Sequence, residues 1–182
     1  MNINVYTEST PNPATMKFIV NKLLINGSVD YPTRASAENS PFAKELYKFS
    51  FVNGVFFASN FVTVTKTEGT DWDDIEPILK EFVKGAVESE LKAKVEEHAP
   101  VVFEGTDAEV KIQQILEDYV RPAVEMDGGA IQFRSYDDGV VNLMLQGSCS
   151  GCPSSIITLK AGIEGMMKRM IPEVKEVVAE AE

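Results

Sequence analysis

"AIQFRSYDDGVVNLMLQGSCSGCPSSIITLKAGIEGMMKRM", Ala130 to Met170, decides how the second half of this chain folds. Ile131 and Phe133 share one face of an alternating run, and Val141, Leu143 and Leu145 answer them beyond Asp137, Asp138 and Gly139. The pattern predicts a β-hairpin. At Pro153 the period changes. A proline at a favoured first helical position is followed by Ile156, Leu159, Ile163, Met166, Met167 and Met170 at helical spacing, and Pro172 stops the helix. These methionines read as core in preference to an adaptable partner surface. Between hairpin and helix lies a glycine-rich loop with Gly147 and Gly151, and it holds both cysteines of the chain, Cys149 and Cys152.

Working outward, Asp127, Gly128 and Gly129 could support the cysteine loop, but read in preference as a plain helix-to-strand turn. Before them, Thr106 and Glu109 have capping-box spacing and open a helix with Ile112, Ile115, Leu116, Tyr119 and Val120 on its apolar face; Pro122 should kink or end it. Val174 to Val178, "VKEVV", adds a short final strand. In the first half, "MKFIVNKLLI" (16–25) reads as a strand, "PFAKELYKF" (41–49) as a short helix opened by Pro41, and 49–57 and 61–66 as two strands joined at Ala58, Ser59 and Asn60. Trp72 to Glu90 predicts an amphipathic helix with Ile75, Ile78, Leu79, Phe82, Val83 and Ala86 inward. The pattern then fades through charged residues, Pro100 and Gly105. The expected architecture is α+β: two small two-layer domains, 1–91 and 108–182, joined by a linker at 92–107.

Composition narrows the function. The chain has 182 residues, 44% of them hydrophobic and 25% charged, with a net charge of −11. An excess of acids without a basic run argues against nucleic-acid binding. No apolar stretch approaches about 18 residues, so no membrane span is expected. The first residues, "MNINVYTESTPNP", resemble neither a secretory signal nor a transit peptide, which gives the expectation of a protein that is cytoplasmic or already processed, with reduced thiols. His98 is the single histidine, which removes His-rich metal sites and a Ser-His triad. It reads as a solvated tether residue, the acids of 88–97 as a solvated helix end, "DWDD" (71–74) as an acidic helix start, and "TPNP" (10–13) as rigid turn chemistry.

The chemistry therefore rests on Cys149 and Cys152. A C-x-x-C pair can form a redox disulfide, half of a zinc site, or half of an iron-sulfur ligand set. Glycines let such a loop curl around a metal, and a following helix N-terminus favours thiolate. Structural zinc and a cubane cluster each take about four ligands. One chain supplies two cysteines, so symmetry with a second copy is the simplest completion. The expectation is one labile 4Fe-4S cluster shared between the protomers of a homodimer. A thiol-disulfide oxidoreductase and a zinc-bridged interaction module stay open on the spacing alone. Against the former, the proline follows the second cysteine and no βαβ unit precedes the motif.

The stretch from Arg121 to Val178 closely resembles the C-terminal domain of NifU and of the Nfu-type iron-sulfur scaffold proteins: R-P, then D-G-G, a hairpin, "LQGSCSGCPSS", T-L-K, I-E and "PEVKEVV". "TPNPATMKF" (10–18) and "GVFFASNFVTVTK" (54–66) resemble the N-terminal domain that accompanies it. The resemblance implies a small α+β fold for each half, cluster binding at Cys149 and Cys152, upstream cluster-assembly proteins as donors, and delivery to apo iron-sulfur proteins. It implies a carrier and no enzyme. One departure is Ala130, where the family commonly has a second aspartate.

Overall fold

The computed structural model describes residues 2–93, 105–150 and 153–181, with backbone alone at 153–155 and 181. Pro100, His98 and most of the expected linker, with Gly151 and Cys152, lie outside the described residues. Both helices and sheets are present, as expected for α+β, and the chain divides into two compact units, Met1–His98 and Ala99–Glu182.

The first unit is an antiparallel sheet of β1 (Val5–Ser9), β2 (Thr15–Val20), β3 (Ser28–Tyr31), β4 (Val52–Ala58) and β5 (Phe61–Lys66), in the order β1-β2-β5-β4-β3. Alternate residues of three strands, Phe18, Val20, Val55, Phe57, Val62 and Val64, form the sheet side of its core. Phe42 and Leu46 of α1 (Pro41–Leu46) and Ile75, Leu79, Val83 and Ala86 of α2 (Trp72–Glu88) supply the helical side. Each large side chain buried here contributes roughly 1.5–3 kcal/mol. Pro41 does open α1, and the Ser40 hydroxyl accepts the Ala43 N–H at 3.0 Å, satisfying an otherwise orphaned donor.

Several expectations shift. The strand read from residue 49 starts at Val52, because Phe49 and Phe51 stack on each other in the preceding turn with centroids 5.2 Å apart. The strand read through Ile25 ends at Val20, and the N–H groups of Leu24 and Ile25 donate to the Ser59 carbonyl instead. Ile78, placed inward from the sequence, is exposed. Lys92 and Ala93, placed in the linker, are tied into this unit: the Phe42 N–H donates to the Lys92 carbonyl at 3.2 Å and the Tyr31 hydroxyl to the Ala93 carbonyl at 3.0 Å.

The second unit opens with α3 (Asp107–Ile115), whose capping box joins Thr106 and Glu109 reciprocally. A wide turn of π-helix at Leu116–Val120 follows, then α4 (Arg121–Met126), and the chain stays helical through Pro122. The wide turn shifts the apolar face by about one residue, and Tyr119, expected inward, is exposed. Strands β6 (Gly129–Asp137) and β7 (Val140–Gly147) pair antiparallel, with Ile131 opposite Leu145 and Phe133 opposite Leu143. A bulge at Arg134 then sets Tyr136 opposite Val141. Asp138 and Gly139 both have positive φ, 48° and 89°, as a two-residue hairpin twisted to match its strands needs. Helix α5 (Pro153–Met170) leads to β8 (Glu176–Ala181), which pairs parallel with β7. Parallel neighbours require such a crossover. Ile163 and Met167 of α5 join Ile112, Leu116, Val141, Leu143, Leu145 and Val177 in the core, whereas Met170 is exposed.

Candidate metal centre

The cysteine loop is the connection from β7 to α5 within a parallel β-α-β crossover. Among the described residues no such unit precedes the motif, but the motif itself lies inside one. Leu145 belongs to the core, and β7 ends at Gly147, whose φ is 66°. The Ser150 N–H and hydroxyl both donate to the Gly147 carbonyl, at 3.2 and 2.8 Å, closing a tight turn around Ser148 and Cys149.

This loop interlocks with the D-G-G turn. Gly128 has a φ of 79°, so the backbone reverses there between α4 and β6. The Ser148 N–H donates to the Gly128 carbonyl at 3.3 Å, and the buried Ser148 hydroxyl donates to the Asp127 carbonyl. Gly129 pairs with Gly147 across the hairpin. A Cβ at Gly129 would stand 2.6 Å from the Cys149 sulfur. The three residues read as a plain turn are thus also the floor of the cysteine loop.

Cys149 is 6% exposed and belongs to the second core. Burial pushes its thiol up to about 11; hydrogen bonding with Ser148 opposes the shift and the Asp127 charge adds to it. At Cys149 this corrects the expectation of a thiolate favoured by a helix N-terminus; Cys152, next to Pro153, lies outside the described residues. The magnitudes explain the outcome. A helix end offers ~0.3–1 kcal/mol to a nearby anion, whereas a rise of about two pKa units corresponds to roughly 3 kcal/mol against the charged form. Among the described residues, no three His, Cys, Asp or Glu side chains gather to hold a metal ion. Ala130, where the resembled family commonly has aspartate, is buried and pairs with Gln146.

The sequence reading misses Ser148 as part of the site and prefers a plain turn at Gly129. A signal was present: a tight turn needs one left-handed glycine, and Gly128 supplies it. Gly129 has no positive φ, so its lack of a side chain has another cause.

Residues 5–90 match the family model described as scaffold protein Nfu/NifU N terminal, and residues 112–178 match the NifU-like domain. Over 179 residues the chain is 40% identical to the human NFU1 iron-sulfur cluster scaffold homolog, mitochondrial, covering 95% of this chain and 70% of that protein. The chain belongs to the NFU1 iron-sulfur cluster scaffold family. Another NFU1 relative, from Drosophila willistoni, is 38% identical over 179 residues; the match covers 95% of this chain, which spans 62% of that protein's length. A NifU-like protein from Saccharomyces cerevisiae, solved in solution, is 16% identical with a TM-score of 0.45, covering 52% of this chain and 87% of that one. That likeness adds nothing to the assignment. Both NFU1 relatives are designated mitochondrial, which overturns the cytoplasmic expectation. It rested on the composition of the first 13 residues, which speaks only for those residues. Among the described residues, no helix is long and apolar enough to cross a membrane.

Proposed function

We propose that this NFU1-family chain is an iron-sulfur cluster scaffold and carrier. Its cargo is a 4Fe-4S cluster held by Cys149 and Cys152 of one copy and the same pair of a second copy, and handed on to apo iron-sulfur proteins. The observation that carries the reading is the placing of Cys149 on a glycine-bounded loop braced by Asp127 and Gly128 at the start of α5. A chain with two sulfur donors supplies half of a cubane's ligands, so a second copy completes it.

Loading requires Cys149 to lose its proton and leave its buried position, because thiolate is the ligand. Cluster binding is therefore coupled to opening of the loop. Release then follows by ligand exchange, with an incoming thiolate from the recipient displacing Cys149 or Cys152. The role is that of a scaffold and not of a catalyst.

Anaerobic reconstitution with iron and sulfide, followed by absorption spectroscopy and metal analysis, tests the reading. A brown chromophore with stoichiometric iron and sulfide is expected, lost in Cys149→Ser and in Cys152→Ser while the fold persists. Zinc in place of iron, or full loading of both variants, would contradict it.

A further inference from the structure

We propose that Gly129 is a positioning residue for Cys149: its bare α-carbon forms the seat that shelters the sulfur while the chain carries no cluster. Three contacts define the seat. A side chain starting at residue 129 would meet the Cys149 Sγ at 2.6 Å, the Gln146 carbonyl oxygen at 2.7 Å and the Cys149 Cβ at 3.2 Å. Heavy atoms do not approach as closely as the first two distances, so any Cβ here displaces either the sulfur or the strand carrying Gln146.

Glycine at this place is not explained by conformation. Residue 129 starts β6 with an ordinary φ, where glycine weakens a strand by roughly 0.5–1 kcal/mol and often marks a close approach. The approach here is that of Cys149. Ser148, fixed at both its N–H and its hydroxyl to Gly128 and Asp127, aims the next residue into the space that Gly129 leaves. The result is a cysteine at 6% exposure on a loop between secondary-structure elements.

The seat gives the cluster-free protein a protected state. A sulfur lodged there is shielded from alkylating agents, oxidants and adventitious metals until the loop opens. That its release serves cluster loading rests on the reading of Cys149 as a ligand; the seat itself does not.

The test uses the full chain, reduced and metal-free, in a Cys152→Ser background so that Cys149 alone reports. Gly129→Ala is expected to raise the rate of iodoacetamide labelling at Cys149 by about tenfold or more at fixed pH, because the thiol no longer waits for local opening. Unchanged labelling in a variant with parental circular dichroism would overturn the proposal. Thermal melting covers the case in which Gly129→Ala does not fold. Against Cys149→Ala, which removes the sulfur, the same substitution is expected to lower Tm less, or to permit folding. An equal loss in both backgrounds would overturn the proposal, since only the Gln146 carbonyl would then be at issue. Cluster loading is read separately, with both cysteines present, in the parent and in Gly129→Ala. A parent that fails to load contradicts the carrier reading and leaves the seat standing; where the parent loads, Gly129→Ala is expected to load faster, and an equal rate contradicts the link between release from the seat and loading.

Discussion

The carboxylate of Glu164 on α5 accepts the backbone N–H of Val177 on β8 at 3.1 Å. The bond joins the crossover helix to an edge strand, and Lys168 holds the other carboxylate oxygen from one turn further along α5. An edge strand carries backbone donors that its single neighbour cannot satisfy, and Glu164 satisfies one of them.

Glu164→Ala should therefore lower the melting temperature of the second unit and leave the first unchanged. The Lys168 and Val177 bonds hold the Glu164 carboxyl below its ordinary range. A depressed folded pKa gives stability that is present above the unfolded carboxyl pKa and lost as pH falls through the folded one. The difference between wild type and Glu164→Ala should accordingly shrink on acidification, as followed by thermal scans.

Cys149 gives the opposite sign. Its folded pKa, about 11, lies above the ordinary thiol value of 9.0, so the folded chain retains a proton that the unfolded chain releases. Cluster-free wild type should lose up to roughly 3 kcal/mol relative to Cys149→Ala between about pH 9 and 11. The contribution is complete below the lower value. Denaturant titrations of the pair at several pH values measure it.

Gly139 anchors the start of β8 to the hairpin turn: its carbonyl accepts the N–H of Lys175 at 2.7 Å and of Glu176 at 3.2 Å. With a φ of 89°, and the Glu173 carbonyl 2.7 Å from any added Cβ, this position excludes other residues. Gly139→Ala should cost about 1–3 kcal/mol, measured by urea denaturation. The loss should fall on the second unit.

In the first unit the Tyr47 hydroxyl donates to the Tyr31 carbonyl at 2.6 Å, and the Tyr31 hydroxyl donates in turn to Ala93. Both tyrosines are buried. Tyr47→Phe leaves a carbonyl without this donor and should cost about 1 kcal/mol or somewhat more, again by denaturant titration.

The sequence carries the hairpin, α5 and the capped start of α3 because each joins a clear period to a clear terminal signal: Asp138-Gly139, Pro153, and Thr106 with Glu109. It does not carry β1 or β3. Both are short edge strands, VYTES and SVDY, too polar and brief for alternation to register. The parallel pairing of β8 is equally hidden, since "VKEVV" marks a strand without naming its neighbour. At the site, the spacing of Cys149 and Cys152 pointed to ligand chemistry, but the burial of Cys149 follows from its packing on Gly129, a contact across 20 residues that no local pattern encodes. The wide turn at Leu116–Val120, with the chain helical on past Pro122, is likewise absent from the reading of the sequence.

The mass of the loaded protein tests the central claim most directly. Native mass spectrometry of the anaerobically reconstituted chain, without external thiol, should give two chains carrying one 4Fe-4S cluster, reverting to cluster-free chain when an apo acceptor is added. A single chain holding a complete cluster, or a dimer holding zinc, would contradict the account.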